Sequence, residues 1–166
     1  MIMQGRIFKF GDDIDTDAII PARYLVTTDI KTLASYCFEE VSPAFAKEVQ
    51  EGDIIVGGSN FGCGSSREQA VVAIVGNGVR VILAESFARI FYRNCINRGI
   101  YALEIPSEAV EQIHDGETIS MDLEKGEITT AQGALPLKFT PISEDMRRIV
   151  EAGGIIPYTK AQLATK

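Results

Sequence analysis

The 166-residue chain has no tryptophan, one histidine and three cysteines, and each shortage removes a class of chemistry. A Ser–His–Asp arrangement would have to use His114, which is followed by Asp115-Gly116 and reads instead as the end of a helix. Cys37, Cys63 and Cys95 are odd in number and widely separated, without the close pairs of zinc or iron–sulfur sites. They read as reduced thiols, Cys63 as a small residue in a tight turn, and no metal is assigned to this chain. Basic residues are scarce too. Sixteen Lys and Arg stand against 23 Asp and Glu, a net charge of −7, which argues against a nucleic-acid surface. No apolar run approaches membrane-spanning length, and Met1-Ile2-Met3-Gln4-Gly5 lacks the basic flank and apolar core of a signal peptide. The expectation is a cytoplasmic protein without a nucleic-acid or membrane partner. It would be one domain over 1–166, with a frayed tail at 160–166.

What is present is organised around Ile54–Gly78. Ile54-Ile55-Val56 is a short β-branched run of the kind buried in a parallel sheet, while Ala70, Val71, Ile74 and Val75 recur at helical spacing. Between them Gly57, Gly58, Gly62 and Gly64 form a loop that opens onto a helix N-terminus, where backbone amides and the helix dipole favour an anion. Arg67 stands where a dinucleotide fingerprint needs its third glycine, no GKS or GKT makes a P-loop, and there is no Gly-x-Ser-x-Gly elbow. Ser65 or Ser66 as N-cap, with Glu68 completing a capping box, accounts for the loop structurally. An anion site is compatible with that cap, and the forked donors of Arg67 suit a carboxylate or phosphate.

Elsewhere the pattern alternates strands and helices. Gly5 to Phe10 reads as a strand, followed by a loop crowded with Asp12, Asp13, Asp15 and Asp17. Arginines, amides or solvent must relieve their repulsion, and a calcium loop would need the glycine and terminal glutamate that are lacking here. Ile19 to Thr27 reads as an extended loop over a pocket. Asp29 caps a helix from Ile30 to about Phe38, and Ser42-Pro43 begins another. Arg80–Ala84 and Tyr101–Ile105 are strands flanking a helix capped by Ser86 and stopped by Gly99. Pro106–His114 is helical, Thr118–Phe139 is strand-rich with turns at Lys125-Gly126 and Gln132-Gly133, and Ser143–Ala152 is a last helix. Strand–helix–strand–helix–strand implies parallel crossovers and an α/β core of three layers with a β-rich C-terminal part.

Gly62-Cys63-Gly64-Ser65-Ser66-Arg67-Glu68, together with Asp13-Ile14-Asp15-Thr16-Asp17 and Phe87-Ala88-Arg89-Ile90-Phe91, resembles the swivelling domain of the aconitase superfamily. Within it the chain is most similar to the separate small subunits of the 3-isopropylmalate dehydratase family, from about Gly5 to Tyr158. The resemblance implies a swivelling β/β/α domain with a partly parallel central sheet. It implies a hydro-lyase subunit that isomerises 2- and 3-isopropylmalate in leucine biosynthesis, with homoaconitate, citraconate or 2,3-dimethylmalate as other acids of the same kind. Ser65 would be the base, Arg67 the carboxylate-binding residue, and Asp17 their support. Ser66, Gly62, Gly64, Val26 and Thr27 would contact the hydroxy-dicarboxylic acid. No cofactor is expected on this chain; a [4Fe–4S] cluster is implied on a separate large subunit, without which the chain would be inactive. Homo-oligomerisation of the isolated chain stays open. So does a reading from a different class, an anion-binding module in which Ser65 and Arg67 grip a ligand without chemistry.

Overall fold

The computed structural model of the protein describes residues 1–133 and 135–166; Ala134, inside the strand-rich stretch expected over 118–139, lies outside the described residues. Strand β1 (Ile2–Lys9) is followed by α1 (Thr16–Ile19), a 3-10 turn (Ala22–Tyr24), α2 (Ile30–Ser35), α3 (Phe45–Glu48) and β2 (Ile54–Val56). Next come α4 (Glu68–Gly76), β3 (Val81–Ala84), α5 (Arg89–Asn97), β4 (Tyr101–Glu104) and α6 (Ser107–Gln112). Strands β5 (Thr118–Asp122), β6 (Glu127–Thr129) and β7 (Leu137–Lys138) precede α7 (Glu144–Glu151) and α8 (Ile155–Ala164).

The strands form one sheet in the order β4-β3-β2-β1-β5-β6-β7. Its β1–β4 half is parallel and its β5–β7 half antiparallel. β1 serves both, pairing Ile7–Lys9 with β2 and Ile2–Arg6 with β5. Along β2, β3 and β4 successive side chains alternate between two cores. Ile55, Ile82 and Ala102 pack with Leu33 of α2 and Val71 and Ile74 of α4. Ile54, Val81, Leu83 and Leu103 pack with Ile119, Met121 and Ile128 of the antiparallel half. Helices, parallel strands and antiparallel strands are therefore three stacked layers, and burial on both faces is why the parallel strands read as unbroken apolar runs. A one-residue slip of β2 would exchange the two cores, so its register is fixed by packing on each side.

Several local expectations are corrected. α2 stops at Ser35 rather than near Phe38, because Phe38 adopts φ 57° and lays its ring on Phe10 and Phe45, with centroids 4.2 and 4.9 Å away. Ser42 does not cap α3, which starts at Phe45 behind Ala44 with no side-chain cap. Ile19–Thr27 is not extended throughout: α1 ends at Ile19, Ile19 and Ile20 are fully buried, and a 3-10 turn follows. The expected tail over 160–166 is helical as far as Ala164. Pro157 lies in the first turn of α8, where its missing N–H has no partner to lose. No helix among the described residues is long and apolar enough to cross a membrane.

Candidate active site

The loops after β1, β2 and β3 leave the same carboxyl end of the parallel half, the usual position for ligand sites in open α/β sheets. Backbone hydrogen bonds lace them together. Gly58 N–H donates to Gly11 O (3.0 Å), Asp13 N–H to Ser59 O (2.9 Å), Gly62 N–H to Ile14 O (2.7 Å) and Thr16 N–H to Cys63 O (2.9 Å). The third loop joins through Phe61 N–H to Ser86 O (2.9 Å) and Ala88 N–H to Phe61 O (3.0 Å). Asp13 and Asn60 turn the chain with positive φ, 53° and 57°, in a region that Asp and Asn tolerate.

The acidic crowd at 12–17 resolves into separate contacts. Asp12 Oδ1 accepts from Ser59 N–H (2.8 Å), Asp13 Oδ1 from Asn60 Nδ2 (3.2 Å), and Asp15 Oδ1 from Ala18 N–H (2.7 Å), capping α1. Asp17 Oδ1 accepts from Arg67 Nη1 (3.0 Å) and from Ala22 N–H (3.1 Å). These bonds, the arginine's first, hold the Asp17 carboxyl below its ordinary range. The pair is therefore complete above the usual carboxylate range and is lost only as pH falls through the depressed value.

The motif residues wall a cleft of ≈ 200 Å³. Gly62, Gly64, Ser65, Ser66 and Arg67 line one side, Thr16 the floor between loops, and Ala88, Arg89, Ile90, Phe91 and Asn94 the side made by α5. Ser65 and Ser66 are exposed and, among the described residues, neither hydroxyl has a hydrogen-bond partner; the Ser65 carbonyl accepts from Thr16 Oγ1 at 2.8 Å. α4 and α5 both begin at this cleft, so the unpaired amides and positive dipole ends of two helices meet there. A larger cavity of ≈ 570 Å³ beside Met3 and Val150 has no serine in its wall. Convergent donors, not volume, single out the smaller cleft.

Neither serine caps α4. Arg67 holds the N-cap position without a side-chain cap, and Glu68 turns away to Arg98 Nε at 2.8 Å. This leaves the serine hydroxyls free of a structural task and sends the half-buried Arg67 side chain to Asp17. Ser86 likewise does not cap α5: its Oγ accepts from Asn60 N–H at 2.7 Å and ties the second loop to the third.

Val26 and Thr27 stand outside the wall of this cleft. Val26 is 93% exposed, and Thr27 Oγ1 accepts from Asp29 N–H at 3.1 Å. Their loop is braced at its base, where Tyr24 stacks on Tyr36 with centroids 3.9 Å apart and Arg23 reaches Glu39 and Glu40 at 2.7 Å each. Sequence reasoning assigned no role to Thr16, Arg89 or Asn94. Thr16 and Arg89 lie in the quoted motifs, and the only signal for Asn94 was its position on the face of α5 shared with Ile90 and Phe91.

Cys63 is half-buried, and burial, then the charges of Asp15 and Asp13, push its thiol up, so it remains protonated. Cys37 and Cys95 are fully buried, and burial raises their thiols as well. Among the described residues no three potential metal ligands converge, and a buried pair with a separate loop thiol does not fit a cluster.

Residues 13–108 match the aconitase C-terminal domain family. A 3-isopropylmalate dehydratase small subunit of Methanosarcina acetivorans is 49% identical, over 95% of this chain and 96% of that protein. An isopropylmalate/citramalate isomerase small subunit of Methanocaldococcus jannaschii is 48% identical, over 98% of this chain and 96% of that protein. The crystal structure of a 3-isopropylmalate dehydratase from Methanocaldococcus jannaschii superposes with a TM-score of 0.93 at 47% identity, covering 99% of this chain and 97% of the other. A match of this extent settles the family: the chain belongs to the 3-isopropylmalate dehydratase small subunits, built on the aconitase C-terminal domain.

Proposed function

We propose that the chain is the small subunit of 3-isopropylmalate dehydratase and supplies half of a shared active site. In leucine biosynthesis the complex would interconvert 2- and 3-isopropylmalate through 2-isopropylmaleate. The observation that supports this reading most is the cleft itself, where two free serine hydroxyls, Arg67 and two helix N-termini converge. Removal of water from a hydroxy diacid needs a base for a carbon-bound proton and cations for its carboxylates. Ser65 Oγ takes the proton, and the amides at the start of α4, with Arg67 beside them, stabilise the charge that a serine base must carry. Arg67, held in place by Asp17, binds one carboxylate through its fork.

The chain's cysteines do not fit an iron–sulfur cluster. The resemblance assigns a [4Fe–4S] cluster to the large subunit, where it supplies the Lewis acid for the substrate hydroxyl. The isolated chain would then be inactive, and the loops at 13–27 and 59–67 would face the large subunit.

The substituent of the acid is read by Val26. Exposed in the single chain, it buries its methyls only when substrate and large subunit cover it, a gain on the order of 1–3 kcal/mol against a branched alkyl group. Against a third carboxylate it would strip water without replacing the hydrogen bonds, at a cost of several kcal/mol. Citramalate, in the name of the Methanocaldococcus jannaschii relative, carries a smaller alkyl group that the same surface accommodates, with the Thr27 hydroxyl beside it.

The test is reconstitution with the large subunit and comparison of kcat/KM for 3-isopropylmalate, citramalate and homoaconitate, before and after Val26→Arg. The native complex should prefer the alkyl malates, and the arginine should shift the ratio toward homoaconitate by about 10- to 100-fold, the scale of one charge-assisted pair. Equal ratios in the two complexes would remove Val26 from the site, and a native complex without isopropylmalate turnover would remove the functional reading itself.

A further inference from the structure

We infer that Arg89 is a second carboxylate-binding residue, gripping the end of the diacid that Arg67 does not hold. The inference rests on the dehydratase reading above and extends it to a residue of α5. Arg67 does not enter the cleft as a free charge, since Asp17 holds one of its nitrogens at 3.0 Å. Asp12, Asp13 and Asp15 accept from neutral amides and keep their charges uncompensated nearby. A doubly charged acid approaching these loops therefore needs a cation with no internal counter-ion. Arg89 meets that need. It is exposed, lines the same cleft as Ser65 and Arg67, and among the described residues takes part in no ion pair and no side-chain hydrogen bond.

Its placement follows from the topology. The β2–α4–β3–α5 succession brings the first turns of α4 and α5 to one cleft, and Phe61 N–H and Ala88 N–H tie the loops leading into the two helices to each other. Arg67 and Arg89 stand just before and just inside those two first turns, one on each side of the cleft. The helix dipoles add to both charges, so a diacid can span from one helix N-terminus to the other with its reacting carbon beside Ser65.

The experiment uses the complex with the large subunit, comparing wild type, Arg89→Gln and Arg89→Lys. Losing one charge-assisted contact to the ground-state acid should raise KM for 3-isopropylmalate by about 10- to 100-fold in Arg89→Gln with a smaller change in kcat, and Arg89→Lys should recover part of it. Inhibition by 2-isopropylsuccinate and its half-amides separates binding from structure: wild type should favour the diacid, and Arg89→Gln should lose most of that preference for one half-amide. An unchanged KM in both variants, an unchanged diacid preference, or a complex that fails to assemble would each overturn the assignment. If wild type itself fails to turn over isopropylmalate, the dehydratase reading falls and this inference falls with it; a working wild type beside unaffected variants indicts Arg89 alone.

Discussion

Ser65→Ala in the complex with the large subunit should lower kcat by about 10³-fold or more while leaving assembly and KM nearly unchanged, because a base acts on the proton chiefly in the transition state. The structure sharpens this expectation. Ser65 Oγ is bonded to nothing among the described residues, and the carbonyl, not the hydroxyl, ties the residue to Thr16 at 2.8 Å. Removing the oxygen thus leaves no broken contact inside the chain, and Tm should stay where it is. Arg67→Lys gives the contrast. Lysine keeps the charge but loses the fork, which holds Asp17 and on the proposed reading would hold substrate as well, so KM should rise and kcat fall. A Ser65→Ala complex that turns over within tenfold of wild type would transfer the base to another residue.

The second large effect is on stability. Gly62 has φ +83°, and a Cβ there would fall within the ring of Phe91, against atoms close to the backbone of α5 that have little freedom to move. Gly62→Ala combines a left-handed conformation unfavourable to alanine with overpacking, together roughly 2–5 kcal/mol. For a chain of this size that is a fall in Tm of about 5–15 °C. Adding Phe91→Ala relieves the overlap but not the dihedral, so the double variant should lose less than the two single losses combined. Thermal unfolding followed by circular dichroism decides it. A Gly62→Ala protein melting within about 2 °C of wild type would mean that the loop can move away from α5 at little cost.

The parallel half of the sheet was legible because its strands are buried on both faces and contain little but apolar side chains, as at Ile54–Val56 and Val81–Ala84. Helices α4 and α5 were legible for the same reason, an apolar stripe closed by Asn77-Gly78 in one case and Gly99 in the other. Capping was not. Ser42, Ser65, Ser66 and Ser86 all have the residue type of an N-cap, yet none of them caps a helix, because where each hydroxyl ends up is decided in three dimensions. The Ser86 hydroxyl receives the Asn60 amide from another loop, a bond between residues 26 apart in sequence. Helix α8 was missed because none of its side chains is buried, so no core-facing stripe marks it. In the cleft, Ser65, Arg67 and Asp17 were named through motif resemblance, and the Arg67–Asp17 pair is directly visible. The approach of α5 was not readable, since it depends on how a crossover returns to the sheet.

The loop carrying Val26 is braced from below by Tyr24 on Tyr36 and by Arg23 on Glu39 and Glu40. Among the described residues no hydrogen bond joins 23–28 to the Ser65 loop. Substitutions at its tip are thus shielded from the lacing that sets the serine and the arginines. If Val26 reads the acid as proposed, this separation would open a short mutational path for a duplicated gene: a few changes over 25–28 would alter which acid is accepted while the inherited chemistry kept running, so intermediates along the path would not need to pass through an inactive enzyme.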